Sequence, residues 1–171
     1  MNICVCGWYY LKEFYDEVLK TDYKITIISH KNYVPEFIKE NKNQKFSFIY
    51  IENIGLEFGA YNYYLNNYLL DDTIFLHDDT LVTIEQLEEI ENKCKDLDQA
   101  YIFKNQTEQT NNGGKHGRCI YMSKRFLEYL KINYGIPYDE RNMGYNGTTK
   151  NTLNIDFNEG IYRYHRLLGR I

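Results

Sequence analysis

The chain has 171 residues, of which 43% are hydrophobic and 26% charged, which suits one soluble globular domain with a real core over residues 1–171. A formal charge of −4 works against a nucleic-acid binder, because non-specific affinity for a phosphate backbone comes from Lys and Arg; only "RYHRLLGRI" at the C-terminal end is locally basic. No apolar run approaches a membrane span, and "MNICVCGWYY" has neither the basic start nor the apolar stretch of a signal peptide, so a cytoplasmic, intracellular setting is expected.

"NICVCG" reads as a first strand stopped by Gly7, with Cys4 and Cys6 two apart on one face as small core residues. The four cysteines, Cys4, Cys6, Cys94 and Cys119, show no C-x-x-C spacing, so neither a zinc site nor a disulfide framework is expected. "YYLKEFYDEVLK" follows as a helix, with Leu11, Phe14 and Val18 at helical spacing. "KITIISH" is a β-branched second strand with His30 just past its end. Pro35 opens a short helix in "PEFIKEN", and "KFSFIYIEN" is a third strand.

From Leu56 to Leu70 a helical stripe comprises Phe58, Tyr61, Leu65, Tyr68 and Leu69. "TIFLH" is the fourth strand, Ile84, Leu87, Ile90, Cys94 and Leu97 mark the next helix, and "QAYIFKN" is another strand. Residues 104–118 are polar and Gly-rich and read as a loop suited to close over a bound ligand. "CIYMSKRFLEYLKINYG" reads as a brief strand turning into a helix, with Ser123 as its N-cap and Phe126, Leu127 and Leu130 facing inward.

Strands alternating with helices imply a mostly parallel central sheet flanked by helices. Ligands gather beyond the carboxyl ends of such strands, where Gly7, His30, Asn53 and the Asp78–Asp79 pair should lie together. Two adjacent carboxylates after a buried strand either cap the next helix or wait for a hard divalent cation that also takes substrate phosphates. In "ENIGLEFGAYNYYL", Asn53, Gly55, Glu57 and Gly59 crowd the turn after the third strand. Glycines there either let backbone N–H groups approach a ligand or simply make a tight turn with close helix packing. The spacing is not a dinucleotide fingerprint, and "GGKHG" is not a phosphate loop. Asp139 and Glu140 in "YDERNMGYNG" offer a general base or a solvated loop, and His165 a cation ligand or a packed imidazole.

The order of "NIGLEFGAY", "TIFLHDDT", "GRCIYMSKRFLEYL", "YDERNMGYN" and a late His165 resembles the GT-A class of nucleotide-sugar-dependent glycosyltransferases, including rhamnan-synthesis-like members of polysaccharide assembly. The resemblance implies a Rossmann-like GT-A fold and transfer of a sugar from a nucleoside-diphosphate donor to a saccharide or other hydroxyl acceptor, with inversion. It implies Mn2+ or Mg2+ as cofactor, with Asp79, His165 and His77 at the metal positions and Asp78 near the ribose or the metal. It implies Asp139 or Glu140 as the base for the acceptor. Gly7, Trp8 and His30 would line the base and ribose pocket beside the Asn53, Gly55, Glu57 turn. Two departures stand out: His77 occupies the position of the motif's first Asp, and the chain is short for the family. A nucleotidyltransferase making nucleotide sugars and a non-catalytic sugar- or nucleotide-binding module are the competing expectations. The former needs a Gly-rich basic first loop, which "CGWYYLKEF" lacks.

Overall fold

The structure, a computed structural model, describes residues 1–40, 46–80, 82–96, 100–102, 119–133 and 135–136. The expectations for Leu97, 104–118, Asp139, Glu140, His165 and the basic C-terminal stretch therefore lie outside the described residues. Elements run in the order β1 (Asn2–Gly7), α1 (Lys12–Val18), β2 (Lys24–Ser29), α2 (Glu36–Lys39), β3 (Phe46–Tyr50), α3 (Leu56–Asn67) and β4 (Thr73–His77). Then come α4 (Ile84–Cys94), β5 (Ala100–Ile102), β6 (Cys119–Met122) and α5 (Lys124–Asn133).

Among the described residues six strands form one sheet, in the order β3-β2-β1-β4-β6-β5. The β1–β2, β2–β3 and β1–β4 pairs are parallel, whereas β6 runs antiparallel to both β4 and β5. The sheet is thus mostly parallel, with one reversed strand near an edge. Strand order changes direction between β1 and β4: β2 and β3 are laid down on one side of β1, and the rest of the sheet on the other. That gap is the topological switch point, where an open α/β sheet leaves a crevice past its strand ends.

Two cores follow from the period-2 alternation of the central strands. Cys4, Cys6 and Phe75 face one layer with Tyr61, Tyr64 and Leu65 of α3 and Leu127 and Leu130 of α5. Ile3, Val5, Ile74 and Leu76 face the other, with Phe14 and Val18 of α1, Ile38 of α2 and Leu87 and Ile90 of α4. All four cysteines are free and buried, as small apolar residues. No helix among the described residues is long and apolar enough to cross a membrane.

Two local endings differ from the periodicity. α3 stops at Asn67; Tyr68 is extended (φ −117°) yet half-buried against the core, stacked on Tyr64, whereas Leu69 is 81% exposed, so only the last residue of the stripe leaves the core. α4 begins at Ile84 with Thr83 as N-cap: Thr83 Oγ1 accepts from the Gln86 N–H and the Gln86 side chain accepts from the Thr83 N–H. This reciprocal box caps the helix without either Asp78 or Asp79. Ser123 does accept from the Phe126 N–H at 3.2 Å, as an N-cap should.

Phe75 is fully buried between Tyr61 and Tyr64, its ring centroid 4.9 and 5.6 Å from theirs. Phe75→Ala is expected to lower unfolding free energy by about 3–5 kcal/mol, read from the urea midpoint at unchanged m-value.

Candidate functional site

The β1 and β4 strands end side by side, with Cys6 in register with His77. The Asp78 N–H donates to the Cys6 carbonyl at 3.2 Å, carrying the ladder one step beyond β4. Its carboxylate then turns across the switch point into the turn that follows β1. Oδ2 accepts from the backbone N–H groups of Trp8 (2.9 Å) and Tyr10 (2.8 Å) and from the Tyr15 hydroxyl (3.1 Å), and Oδ1 accepts from the Tyr9 N–H (2.9 Å). Asp78 is completely buried. A buried carboxylate is costly unless several donors replace its water, and four do so here.

The turn is strained. Tyr10 has φ 56°, the left-handed region that a non-glycine residue rarely adopts, at a cost of order 1 kcal/mol. Asp78 holds its backbone, and the Tyr10 hydroxyl hydrogen-bonds the Ser29 hydroxyl at the end of β2. A Cβ on Gly7 would sit 3.3 Å from Ile27 and 3.4 Å from both Tyr10 and Tyr15, so the turn packs closely around it and a side chain there would require small shifts of its neighbours. Burial pushes the Tyr10 hydroxyl up to about 12 and raises that of Tyr15 well above the usual phenol range, so both remain protonated.

A second tight turn joins β3 to α3. Gly55 (φ 82°) and Leu56 (φ 53°) are both left-handed, and the His30 Nε2 lies 2.9 Å from the Leu56 carbonyl, which ties the turn to the end of β2. Burial lowers the His30 pKa from its ordinary 6.5, opposed by nearby backbone carbonyls. The neutral ring with its proton on Nε2 is the form that donates to Leu56. Asn53 is half-buried in this turn, and its Oδ1 has no hydrogen-bond partner among the described residues.

At the mouth of the switch point, His77 Nδ1 is 2.7 Å from Asp79 Oδ1 and 4.0 Å from Asp78 Oδ1. Burial opposes a charge on His77, but the Asp79 hydrogen bond and the negative charges of Asp79, Glu57 and Asp78 outweigh it and raise its pKa above 6.5. Gly7, Trp8, His30, Asn53, Gly55, Glu57, His77, Asp78 and Asp79 all lie on this one sheet edge. Within it, Asp78 points into the chain's own turn, and Asp79 pairs with His77. Among the described residues no three His, Cys, Asp or Glu side chains gather as a metal site.

Sequence reasoning named Trp8 here but missed Tyr9, Tyr10, Tyr33 and the cation of Lys31 beside it. The Lys31 ammonium lies 5.1 Å from the Trp8 ring centroid and 5.8 Å from that of Tyr10. Tyr33 packs on Tyr10, and Tyr9 meets the His77 ring edge-on at 5.6 Å while remaining 54% exposed. The signal was the aromatic cluster "WYY" directly after a strand-ending glycine.

Among solved structures, the chain aligns over 99% of its length with 85% of a Bacillus anthracis chain assigned as a glucose-1-phosphate thymidylyltransferase, in complex with sucrose. The TM-score is 0.52 and the identity 10%, so the likeness is one of fold. Two crystal structures of the glycosyltransferase GlyE from Streptococcus pneumoniae TIGR4, one of them the apo form, align at a TM-score of 0.47 with 15% and 13% identity. These alignments cover 77% and 75% of this chain but 36% and 37% of GlyE, so the chain spans little more than a third of that protein's length. No protein-family model matches the chain. No curated protein matches it either.

The two imidazoles are expected to separate in a histidine-resolved NMR titration, His30 titrating below 6.5 and His77 above it. The folded state then binds fewer protons than the unfolded at His30, whose contribution to stability falls as pH drops through 6.5. The His77 contribution is present below 6.5 and is lost as pH rises through its own higher pKa.

Proposed function

We propose that the chain is a glycosyltransferase domain that moves a sugar from a nucleoside-diphosphate donor to the hydroxyl of a saccharide or other acceptor. The observation that carries this reading is the switch point itself. β1 and β4 end side by side at the point where strand order reverses, with Gly7 and Trp8 at the end of one and His77 and Asp79 at the end of the other, and that is where open α/β sheets take their ligands. The resemblance of "TIFLHDDT" and "NIGLEFGAY" to the GT-A motifs supports the same reading. In it, Trp8, Tyr10 and Lys31 receive the base and ribose, and the His30-pinned turn with Asn53, Gly55 and Glu57 borders the donor. A diphosphate then reaches toward His77 and Asp79.

The carboxylate of Asp79 and the imidazole of His77 are a donor set suited to a divalent cation such as Mn2+ or Mg2+, which when bound neutralises charge on the leaving diphosphate. Two donors leave most of such a cation's shell to substrate and water; His165, the third expected ligand, belongs to the undescribed residues. In the transfer, Asp139 or Glu140 takes the proton of the acceptor hydroxyl. Its oxygen bonds to the anomeric carbon as the bond from that carbon to the diphosphate oxygen breaks, from opposite faces, which inverts the configuration.

The nucleotidyltransferase alternative shares the fold, but its first loop must hold a triphosphate. Here the N–H groups of Trp8, Tyr9 and Tyr10 are taken up by Asp78, and Lys12 is paired with Asp16. A loop whose amides are already filled by a carboxylate is a poor grip for three phosphates. A non-catalytic nucleotide- or sugar-binding module is favoured by one observation, the mutual satisfaction of His77 and Asp79 at 2.7 Å.

Thermal shift against a panel of nucleoside-diphosphate sugars, with and without Mn2+, should give a donor-specific rise in melting temperature, followed by donor hydrolysis or transfer. Asp79→Asn is expected to reduce turnover by at least about a hundredfold while far-UV circular dichroism and the unfolding midpoint remain near wild type. Near-normal transfer by that variant rejects the role given to Asp79. Donor binding without hydrolysis across the acceptor panel favours the binding module.

A further inference from the structure

We propose that Asp78 is a positioning residue: it holds residues 8–10 in the strained turn that presents Trp8 and Lys31 to the nucleoside diphosphate. The ligand's identity rests on the transferase reading above; the role of the carboxylate rests on its contacts. Asp78 lies at the end of β4 and Trp8 at the end of β1, so the side chain joins the two strand ends. Three consecutive N–H groups converge on it, an arrangement that otherwise binds an anion from outside. Filling that nest from within removes it as a phosphate site and turns it into a fixed support.

The support reaches the ring surface in two steps. Tyr10 is held left-handed by Asp78, and its hydroxyl binds Ser29, two residues before Lys31. The Ser29 side chain in turn accepts from the Lys31 N–H at 2.9 Å and donates to the Lys31 carbonyl at 2.8 Å. Asp78, Tyr10, Ser29 and Lys31 therefore form one chain of contacts, which closes where the Lys31 ammonium meets the Trp8 ring. Among the described residues Lys31 makes no ion pair, so its charge is available to an anionic ligand.

Trp8 is the chain's single tryptophan, so its fluorescence reports this ledge alone. The test compares acrylamide quenching of Trp8, and its response to uridine, guanosine, adenosine, cytidine and thymidine diphosphates, in wild type, Asp78→Asn, Tyr15→Phe and Tyr64→Phe. Asp78→Asn sets an amide group against backbone donors, Tyr15→Phe removes one donor to the same carboxylate, and Tyr64→Phe removes a buried hydroxyl remote from the ledge. The expectation for Asp78→Asn is about a twofold rise in quenching and about tenfold weaker binding of whichever diphosphate wild type binds. Tyr15→Phe should change both in the same direction by less, and it decides the matter should Asp78→Asn fail to fold. Tyr64→Phe should leave both at wild type. Unchanged Trp8 quenching in Asp78→Asn and Tyr15→Phe overturns the assignment of Asp78. Altered quenching with wild-type affinity also overturns it, because the ledge then plays no part in binding. Absence of diphosphate binding by wild type rejects the transferase reading and the ledge's ligand together, a result distinct from unchanged quenching.

Discussion

One buried carboxylate joins the carboxyl ends of β1 and β4. Asp78 spans the gap between two strands that are neighbours in the sheet but some seventy residues apart in sequence, and four donors from the β1–α1 segment converge on it. A charge removed from water must be matched by fixed donors, and backbone N–H groups leaving a strand must find acceptors. Each requirement answers the other. The result is a turn with a left-handed tyrosine, stable because the carboxylate over-determines it.

The ends of β1 and β2 are tied together through this turn. Close packing around Gly7 brings Tyr10 and Tyr15 against β2, and the Tyr10–Ser29 bond sets the start of the segment carrying His30 and Lys31. His30 in turn bonds the carbonyl of the left-handed Leu56, so contacts run from the end of β2 to both strained turns. The edge acquires two characters from this. Rings and the Lys31 ammonium gather beyond β1 and β2, while Glu57, His77 and Asp79 supply an acidic mouth with an imidazole in it. The same end of the sheet therefore carries a cation held over aromatic rings and, separately, carboxylates beside an imidazole.

Much of the architecture was legible because it is local. Cys4 and Cys6 fall on one face of β1 and Ile3 and Val5 on the other, as period 2 demands. Phe14 and Val18, and Leu87, Ile90 and Cys94, repeat at helical spacing and are buried. Leu69 extends the same spacing by one more step and is exposed, because periodicity does not say where a helix ends. The acidic doublet was less readable. Asp78 and Asp79 are chemically identical neighbours, so no pattern distinguishes the one that turns inward from the one that meets His77.

Alternating apolar runs and glycine and proline stops determined the strands, the helices and a parallel α/β sheet whose carboxyl ends carry polar residues, because backbone geometry imposes those periods within a few residues. Strand order, the reversal of β6, and the burial of Asp78 against Trp8, Tyr9, Tyr10 and Tyr15 were decided only when distant segments met. The physical reason is that a carboxylate's role is set by the donors around it, and here those donors lie across the sheet rather than along the chain.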